Sequence, residues 1–334
     1  MTRQLHFCIH GAGGLGSVIG GFLARGGHKV TLIARKPHVE AIRQGGLQIE
    51  GVRAQFVQRA NLFAVETPEV EGAIDYYILL TKAKGTDQAL ADAAVLVDRT
   101  ACALTLQNGV GKEGRLQAAF GKDEVIGGSI MDGATLLEPG RALNHMAVPV
   151  TAYFGELGGG ESDRTRTMAE ALDSAGMGSR STADITHVHW EKLVQVGSAS
   201  SWSASTLGGI KELDFIDGVA VREGAAQYIL IVKDLLAIYK ALGYEPQNFF
   251  APVSRLVEIN GESFALAGVM AMVYRFKPEN RPVRTSMHDD LVAGRRMEVD
   301  EILGPLAEAA ERLGVDAPTF LGAYRILKTL NTYL

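Results

Sequence analysis

The sequence predicts an α/β protein in two parts: a Rossmann-type, doubly wound parallel sheet over residues 1–183 and an all-helical domain over residues 184–334. Three observations point there. A glycine-rich turn stands between an apolar run and an amphipathic stretch near the start of the chain. Apolar, β-branched runs then alternate with helical patterns, as in a parallel sheet with helices on its faces. From Asp184 onward the pattern is almost entirely helical.

The first strand is His6-Phe7-Cys8-Ile9, and Gly11-Ala12-Gly13-Gly14-Leu15-Gly16 follows it directly. Residues 17–25 read as a helix with Val18, Ile19, Phe22 and Leu23 on one face, and residues 29–34 as a second strand. This is the βαβ unit that holds a dinucleotide. Gly11 allows the tight turn, Gly13 leaves room for a pyrophosphate, and Gly16 lets the helix press on the strand. The phosphates would rest on free N–H groups at the helix start. With 39 glycines in the chain a bare GxGxxG match is weak; the flanking strand, helix and second strand supply the context. The alternative is a glycine-rich turn with no ligand.

The second strand ends in Ala34-Arg35-Lys36, where an NAD enzyme usually carries a carboxylate for the ribose hydroxyls. Two cations suit a 2′-phosphate, and Arg35 can pair with it in a fork. NADPH/NADP+ is therefore expected over NADH, the alternative being two solvated charges.

Further along, residues 39–44 read as a short helix, 47–49 and 54–65 as extended pieces, and 75–80 as a buried parallel strand. Residues 86–97 read as an amphipathic helix, 101–106 as a strand and 113–120 as a helix. Strands are expected within 125–145 and over 151–155, with turns at Glu138-Pro139-Gly140 and Val148-Pro149. A helix over 162–175 and a strand over 176–182 complete the first domain. In the second, 184–205, 219–242 and 300–313 are the clearest helices, and 318–334 reads as the last.

Composition narrows the class. The chain has 334 residues, 47% of them hydrophobic, and a net charge of −5 with no basic stripe, so nucleic acid is not an expected partner. No apolar run has the length of a membrane span and no leader pattern precedes the first strand, so a soluble cytoplasmic enzyme is expected. Cys8 and Cys102 fall in buried strands and read as inert core thiols rather than a disulfide.

Lys82 and Asn108 stand at the C-terminal ends of sheet strands, where ligands bind in open α/β sheets. Lys82 is placed to meet a phosphate or the adenine side, and Asn108 the nicotinamide ribose or the substrate. The bland readings are a solvated lysine and a turn asparagine. His187 and His189 are two apart and point to different faces, so no metal site is expected. Lys192, on the same helix, reads either as a surface charge or as a catalytic group. Ser286 opens a Ser-x-x-Asp pattern, which makes it a helix N-cap, an anion-binding position, or both. Asp289 and Asp290 are explained by the helix dipole. Glu298 alone reads as a surface acid.

Together these segments resemble the ketopantoate reductase (2-dehydropantoate 2-reductase) family over nearly the whole chain. The resemblance rests on the glycine loop at 11–16, Lys82-Ala83, Gln107-Asn108-Gly109, Trp190-Glu191-Lys192, Ser286 to Asp290, Gly294 to Asp300 and Leu313 to Pro318. It implies reduction of ketopantoate to pantoate by NADPH, in pantothenate and coenzyme A biosynthesis. Lys192 would protonate the carbonyl oxygen, and Glu298 would orient Lys192 and approach the nicotinamide ribose. Asn108 would touch cofactor and substrate, Ser286 would bind the substrate carboxylate, and Lys82 would contact the cofactor. Gly133 or Ala134 would lie against the nicotinamide end. The expected partner is a small-molecule 2-oxo acid, and a homodimer is compatible with the chain.

The departures lie where the substrate is read. The family usually places asparagines four and eight residues after the catalytic lysine; here those positions are Val196 and Ser200. A third asparagine, expected near Gly209 or Ile210, is also missing. Val196 cannot hydrogen-bond a substrate hydroxyl and Ser200 is shorter. Two further readings therefore stand beside the first: an NADPH-dependent reductase of another 2-oxo acid, and a redox sensor that binds NADP(H) without turnover. The joint presence of Lys192 and Glu298 argues against the sensor.

Overall fold

A computed structural model describes residues 3–251, 268 and 283–334. The chain divides into two compact units, one up to Val188 and one from His189.

The first unit runs β1 (His6–His10), α1 (Gly14–Arg25), β2 (Lys29–Ile33), α2 (Lys36–Gly45), β3 (Leu47–Gly51), β4 (Phe56–Gln58), β5 (Leu62–Val65) and β6 (Tyr76–Leu79). It continues with α3 (Thr86–Asp92), β7 (Ala103–Thr105), α4 (Gly114–Phe120), β8 (Gly127–Ile130), β9 (Gly133–Glu138) and β10 (Arg141–Met146). It ends with β11 (Ala152–Gly155), α5 (Asp163–Ser174) and β12 (Ser179–Ser181). Five strands form a parallel sheet in the order β5-β2-β1-β6-β7. The central strands β1, β6 and β7 are buried along their whole length, which is why β6 reads as an unbroken apolar run, while burial alternates along the edge strand β5. Phe7, Ile9, Tyr76 and Ile78 enter one core, and Cys8, Tyr77 and Leu79 the other. Cys8 and Cys102 are free, lie in these opposite cores, and have thiols pushed up to about 12 by burial.

The expected one-sided α1 is corrected by the structure. Every residue from Gly16 to Ala24 is buried, because a second sheet, β4-β3-β10-β9, covers the side of the helix that faces away from the parallel sheet. Gly20 meets Leu32 of β2, and Gly21 meets Ile49 of β3; a methyl at either would come within 2.6 and 2.9 Å of those side chains. A third sheet, β12-β11-β8, closes the unit beside α5. The proposed helix over 86–97 ends at Asp92 and tightens into a 3-10 turn over Ala93–Arg99.

The second unit is helical where it is described. Helix α6 (Ile185–Leu207) spans the division, followed by α7 (Phe215–Val219), α8 (Arg222–Ala241), α9 (Ser286–Val292), α10 (Val299–Ile302), α11 (Gly304–Leu313) and α12 (Pro318–Asn331). The helix read over 219–242 is α8, which starts three residues later: Val219 closes α7, and Val221 is extended (φ −86°, ψ 133°) as the N-cap of α8. The Trp202 indole N–H donates to the Gly224 carbonyl at 2.9 Å, and its ring meets Phe215 and Tyr228 edge-on. The helix read over 300–313 divides at Leu303, ahead of Pro305, which has no N–H to continue the ladder. Asp234 of α8 caps α12 by accepting from Thr319 N and Phe320 N at 2.8 and 2.9 Å.

Candidate active site

In the parallel sheet the chain order reverses between β1 and β6, and the ends of those strands open the crevice where such sheets bind ligands. The glycine loop sits in it. Gly11 has φ +102°, and a methyl there would fall 2.5 Å from Thr81 N, so this position requires glycine on both counts. Its N–H and that of Ala12 donate to the Ile33 carbonyl at 3.1 Å each, tying the loop to β2. A methyl at Gly16 would lie 2.7 Å from the Gly11 carbonyl oxygen. Gly13 differs: a methyl there would meet no heavy atom within 4 Å. The space in front of Gly13, at the N-terminus of α1, therefore remains open, and Leu15 follows in the first turn. That cradle fits a dinucleotide diphosphate, which would accept from backbone N–H groups at a positive helix end.

Ala134 borders the same loop: its carbonyl oxygen would be 2.7 Å from a methyl at Gly14. Gly133, before it, is held from below by a buried polar cluster. Asp132 Oδ1 accepts from Gly133 N at 2.8 Å and Asn144 Nδ2 at 2.6 Å, and Arg53 Nε lies 3.4 Å from Asp132 Oδ2. Burial pushes the Asp132 carboxyl up while Arg53 pulls it back.

Arg35 is exposed at the end of β2, where its extended backbone (φ −67°, ψ 147°) opens α2. Lys36 is also exposed but pairs with Glu40 at 3.9 Å, so Arg35 is the better-placed cation of the two. His38, which the sequence did not single out, is buried beside them. Its Nδ1 accepts from Gly140 N at 2.8 Å, which leaves Nε2 to donate to Ser17 Oγ at 3.0 Å. The imidazole thus joins α2, α1 and the second sheet, and burial lowers its proton affinity.

Lys82 is exposed and begins the 3-10 turn after β6; Asn108 is half-buried in the turn after β7. Gln107 clamps the two strand ends: its Nε2 donates to Thr81 O at 2.6 Å and to Thr86 Oγ1 at 2.9 Å. Thr81 Oγ1 is buried with no hydrogen-bond partner among the described residues.

In the second unit, Lys192 is only 7% exposed, so it is not an ordinary solvated helix lysine. Glu191 before it is buried and accepts three hydrogen bonds, from Tyr239 OH (3.1 Å), Gln247 N (2.7 Å) and Phe249 N (2.7 Å). These bonds fix the segment after α8 onto α6 and set the rotation of the helix that carries Lys192. Val196 and Ser203 lie within about 40° of Lys192 around the axis, and Ser200 about 80° away. Val196 is half-buried; Ser200 is fully buried and its hydroxyl has no partner among the described residues.

Ser203 Oγ lies 3.0 Å from Thr285 Oγ1, which brings the start of α9 onto this side of α6. The cap of α9 is corrected here. Thr285, not Ser286, is the N-cap: its backbone is extended and its Oγ1 accepts from His288 N at 3.3 Å, while Ser286 is already the first helical residue. Ser286 is exposed next to that cap. Glu298 is half-buried at the N-cap position of α10. His189 is buried and His187 half-buried. Among the described residues no group of three or more His, Cys, Asp or Glu is placed to hold a metal, and no helix is long and apolar enough to cross a membrane.

Comparison with known proteins agrees with both units. The family model described as ketopantoate reductase PanE/ApbA matches residues 7–159, and its C-terminal companion matches residues 184–331. A 2-dehydropantoate 2-reductase of Pyrococcus horikoshii is 30% identical, covering 93% of this chain and 92% of its own. The crystal structure of 2-dehydropantoate 2-reductase from Methylococcus capsulatus superposes with a TM-score of 0.75 at 26% identity, covering 98% of this chain and 97% of its own. The ternary structure of a D-mandelate dehydrogenase with NADH and anilino(oxo)acetate shares the fold, with a TM-score of 0.75 at 22% identity over 98% of this chain and 99% of its own. With the two family models matching residues 7–159 and 184–331, the chain belongs to the ketopantoate reductase family.

Proposed function

We propose that the chain reduces 2-dehydropantoate (ketopantoate) to pantoate with NADPH, a step of pantothenate and coenzyme A biosynthesis. The observation that carries this reading is Lys192: a lysine held at 7% exposure on a helix whose preceding residue is locked by three hydrogen bonds. An ammonium held in place is what a general acid requires. That relatives such as those of Pyrococcus horikoshii and Methylococcus capsulatus are 2-dehydropantoate 2-reductases supports the substrate.

In this mechanism NADPH, when bound, would supply the hydride for the C2 ketone. Lys192 Nζ donates a proton to the ketone oxygen as negative charge gathers there, so hydride and proton together give the alcohol. Glu298 orients the Lys192 ammonium. Ser286, with the start of α9 behind it, receives the substrate carboxylate. The loop over residues 11–16 cradles the diphosphate. The Gly11, Ala12 and Gly13 N–H groups are spent inside the fold on the Ile33 and Gly11 carbonyls. The N–H groups of the first turn of α1, which begins at Gly14, are therefore the ones that meet the phosphates, with Lys82 adding positive charge at the crevice. Arg35 pairs with the 2′-phosphate, and Asn108 spans the nicotinamide ribose and the substrate. Gly133 and Ala134 back the nicotinamide end.

The test is NADPH oxidation followed with ketopantoate and with 2-oxoisovalerate, which lacks the hydroxyl. Higher kcat/KM on ketopantoate is expected. An efficiency on 2-oxoisovalerate equal to or above it would overturn the substrate, and no turnover with either would overturn the reaction.

A further inference from the structure

A second lysine, outside every role given above, is buried beneath the cofactor crevice. The Lys112 side chain is 8% exposed. Its Nζ donates to Gln107 O at 2.6 Å and to Gly128 O at 2.8 Å, and Glu113 Oε1 lies 3.9 Å away. Lys112 follows a turn in which Gly109 and Gly111 both have positive φ (108° and 71°), so the backbone between Gln107 and Lys112 has little intrinsic preference of its own. The ammonium supplies the constraint. It closes the turn on itself at Gln107 and ties it to β8 at Gly128. Gln107 carries the tie onward, its side-chain amide donating to Thr81 O at 2.6 Å. Thr81 is the residue against which Gly11 packs, with 2.5 Å to a methyl placed there. One polar chain thus runs from Gly128 of β8 through Lys112 and Gln107 to Thr81 after β6, whose backbone packs against the glycine loop, and Asn108 adjoins Gln107 in it.

We propose that Lys112 is a positioning residue for Asn108 in dinucleotide binding. The proposal rests on the cofactor half of the proposed function. Lys112 is not cast as a dinucleotide contact, because two backbone carbonyls take two of its three N–H donors and Glu113 stands beside it. It acts by holding the Gln107-Asn108-Gly109 turn where the Asn108 side chain can reach the cofactor. A buried ammonium is suited to this because charge-assisted bonds to carbonyls are about twice as strong as neutral ones.

The test is a double-mutant cycle on the full chain, read by equilibrium NADPH titration through nucleotide fluorescence. It needs no turnover. Lys112→Met keeps the length and removes the donors. It is expected to raise the Kd about tenfold, or ~1.4 kcal/mol. Asn108→Ala is expected to raise it by a similar factor. The double variant should bind much as Asn108→Ala alone does, because Lys112 acts through Asn108. A Lys112→Met protein that binds NADPH as the wild type does would overturn the proposal, and so would losses that multiply in the double variant. Should Lys112→Met fail to fold, Lys112→Gln, which keeps one donor, is put through the same cycle under the same criteria. A wild type that binds NADPH but reduces no 2-oxo acid overturns the reaction and leaves the cycle readable. A wild type that does not bind NADPH overturns both.

Discussion

Gly13 and Gly14 are adjacent in the loop, yet the structure predicts opposite consequences for the same substitution. In Gly13→Ala the added methyl meets no heavy atom within 4 Å, and φ is −81°. The folded chain accommodates it at the cost of a poorer N-cap, about 1 kcal/mol or less. The methyl projects into the open space at the start of α1, where the diphosphate would sit. Two charge-assisted bonds from backbone N–H groups, together worth ~3 kcal/mol, would be lost or lengthened. At ~1.4 kcal/mol per tenfold, that is a roughly hundredfold rise in the NADPH Kd. In Gly14→Ala the methyl would stand 2.7 Å from Ala134 O and 2.8 Å from Thr135 Cα, all backbone, so β9 must move. Overpacking of that kind costs about 1–3 kcal/mol of stability. The assays are thermal melts of both apo proteins and fluorescence titration with NADPH. Gly13→Ala should melt near the wild type and bind poorly; Gly14→Ala should melt lower. A Gly13→Ala protein that binds NADPH within about threefold of the wild type would refute the cradle.

Three other outcomes are expected. Arg35→Asp should lose efficiency with NADPH and gain it with NADH, and a wild type that uses both equally would remove Arg35 from cofactor choice. Lys192→Ala should lower kcat by about 10²–10⁴ with NADPH affinity nearly unchanged; adding Glu298→Ala should cost less than the product of the single losses. Acid should destabilise the fold early. His6, His10, His28, His38 and His288 are all held below the usual imidazole range by burial. Their folded pKa values lie below the unfolded value of about 6.5, so their contribution is complete above that pH and is lost as pH falls through it. Denaturant melts at pH 7.5 and 5.5 should show lower stability at 5.5, with a smaller difference in His38→Gln; a flat or opposite trend would contradict the burial argument.

What sequence reasoning recovered is what neighbours in the chain determine. The glycine loop was legible because strand, turn and helix are contiguous, and the exposed position of Arg35 because it follows the next strand. The buried parallel strands were legible because covering both faces forces unbroken apolar runs such as Tyr76–Leu79. The second sheet was not. It depends on β3 pairing with β10, Gln48 against Arg141, and no local pattern encodes a partner that far along the chain. The same limit hid three side chains. Glu191 finds Tyr239, Gln247 and Phe249, His38 finds Gly140, and Lys112 finds Gly128. Each reads in sequence as a common polar residue and acquires its role from distant carbonyls, amides or a phenol. The α9 cap shows a finer limit: Thr285 and Ser286 are equally good capping residues in sequence, and only backbone dihedrals separate them.

On the resemblance drawn from the sequence, Val196 and Ser200 of α6 stand where asparagines are expected, and that difference is testable. Val196 offers only methyl groups beside Lys192, so it cannot replace an asparagine's hydrogen bonds. Ser200 retains one polar atom there, and that hydroxyl is buried without a partner among the described residues. An unsatisfied buried hydroxyl costs about 1–3 kcal/mol, a cost that a substrate hydroxyl within reach would relieve. On the proposed function, Ser200 is then the group that distinguishes ketopantoate from its deoxy analogue. Ser200→Ala removes one hydrogen bond of about 1 kcal/mol and should lower kcat/KM on ketopantoate about fivefold. On 2-oxoisovalerate the same variant should be neutral or slightly improved, since the unpartnered hydroxyl is gone and the methyl fits the same space. The quantity to measure is the ratio of the two efficiencies, because a general disturbance of α6 would lower both together. A ratio that Ser200→Ala leaves unchanged would show that this chain does not read the substrate hydroxyl at Ser200, and the apolar surface of Val196 would then favour a 2-oxo acid without one.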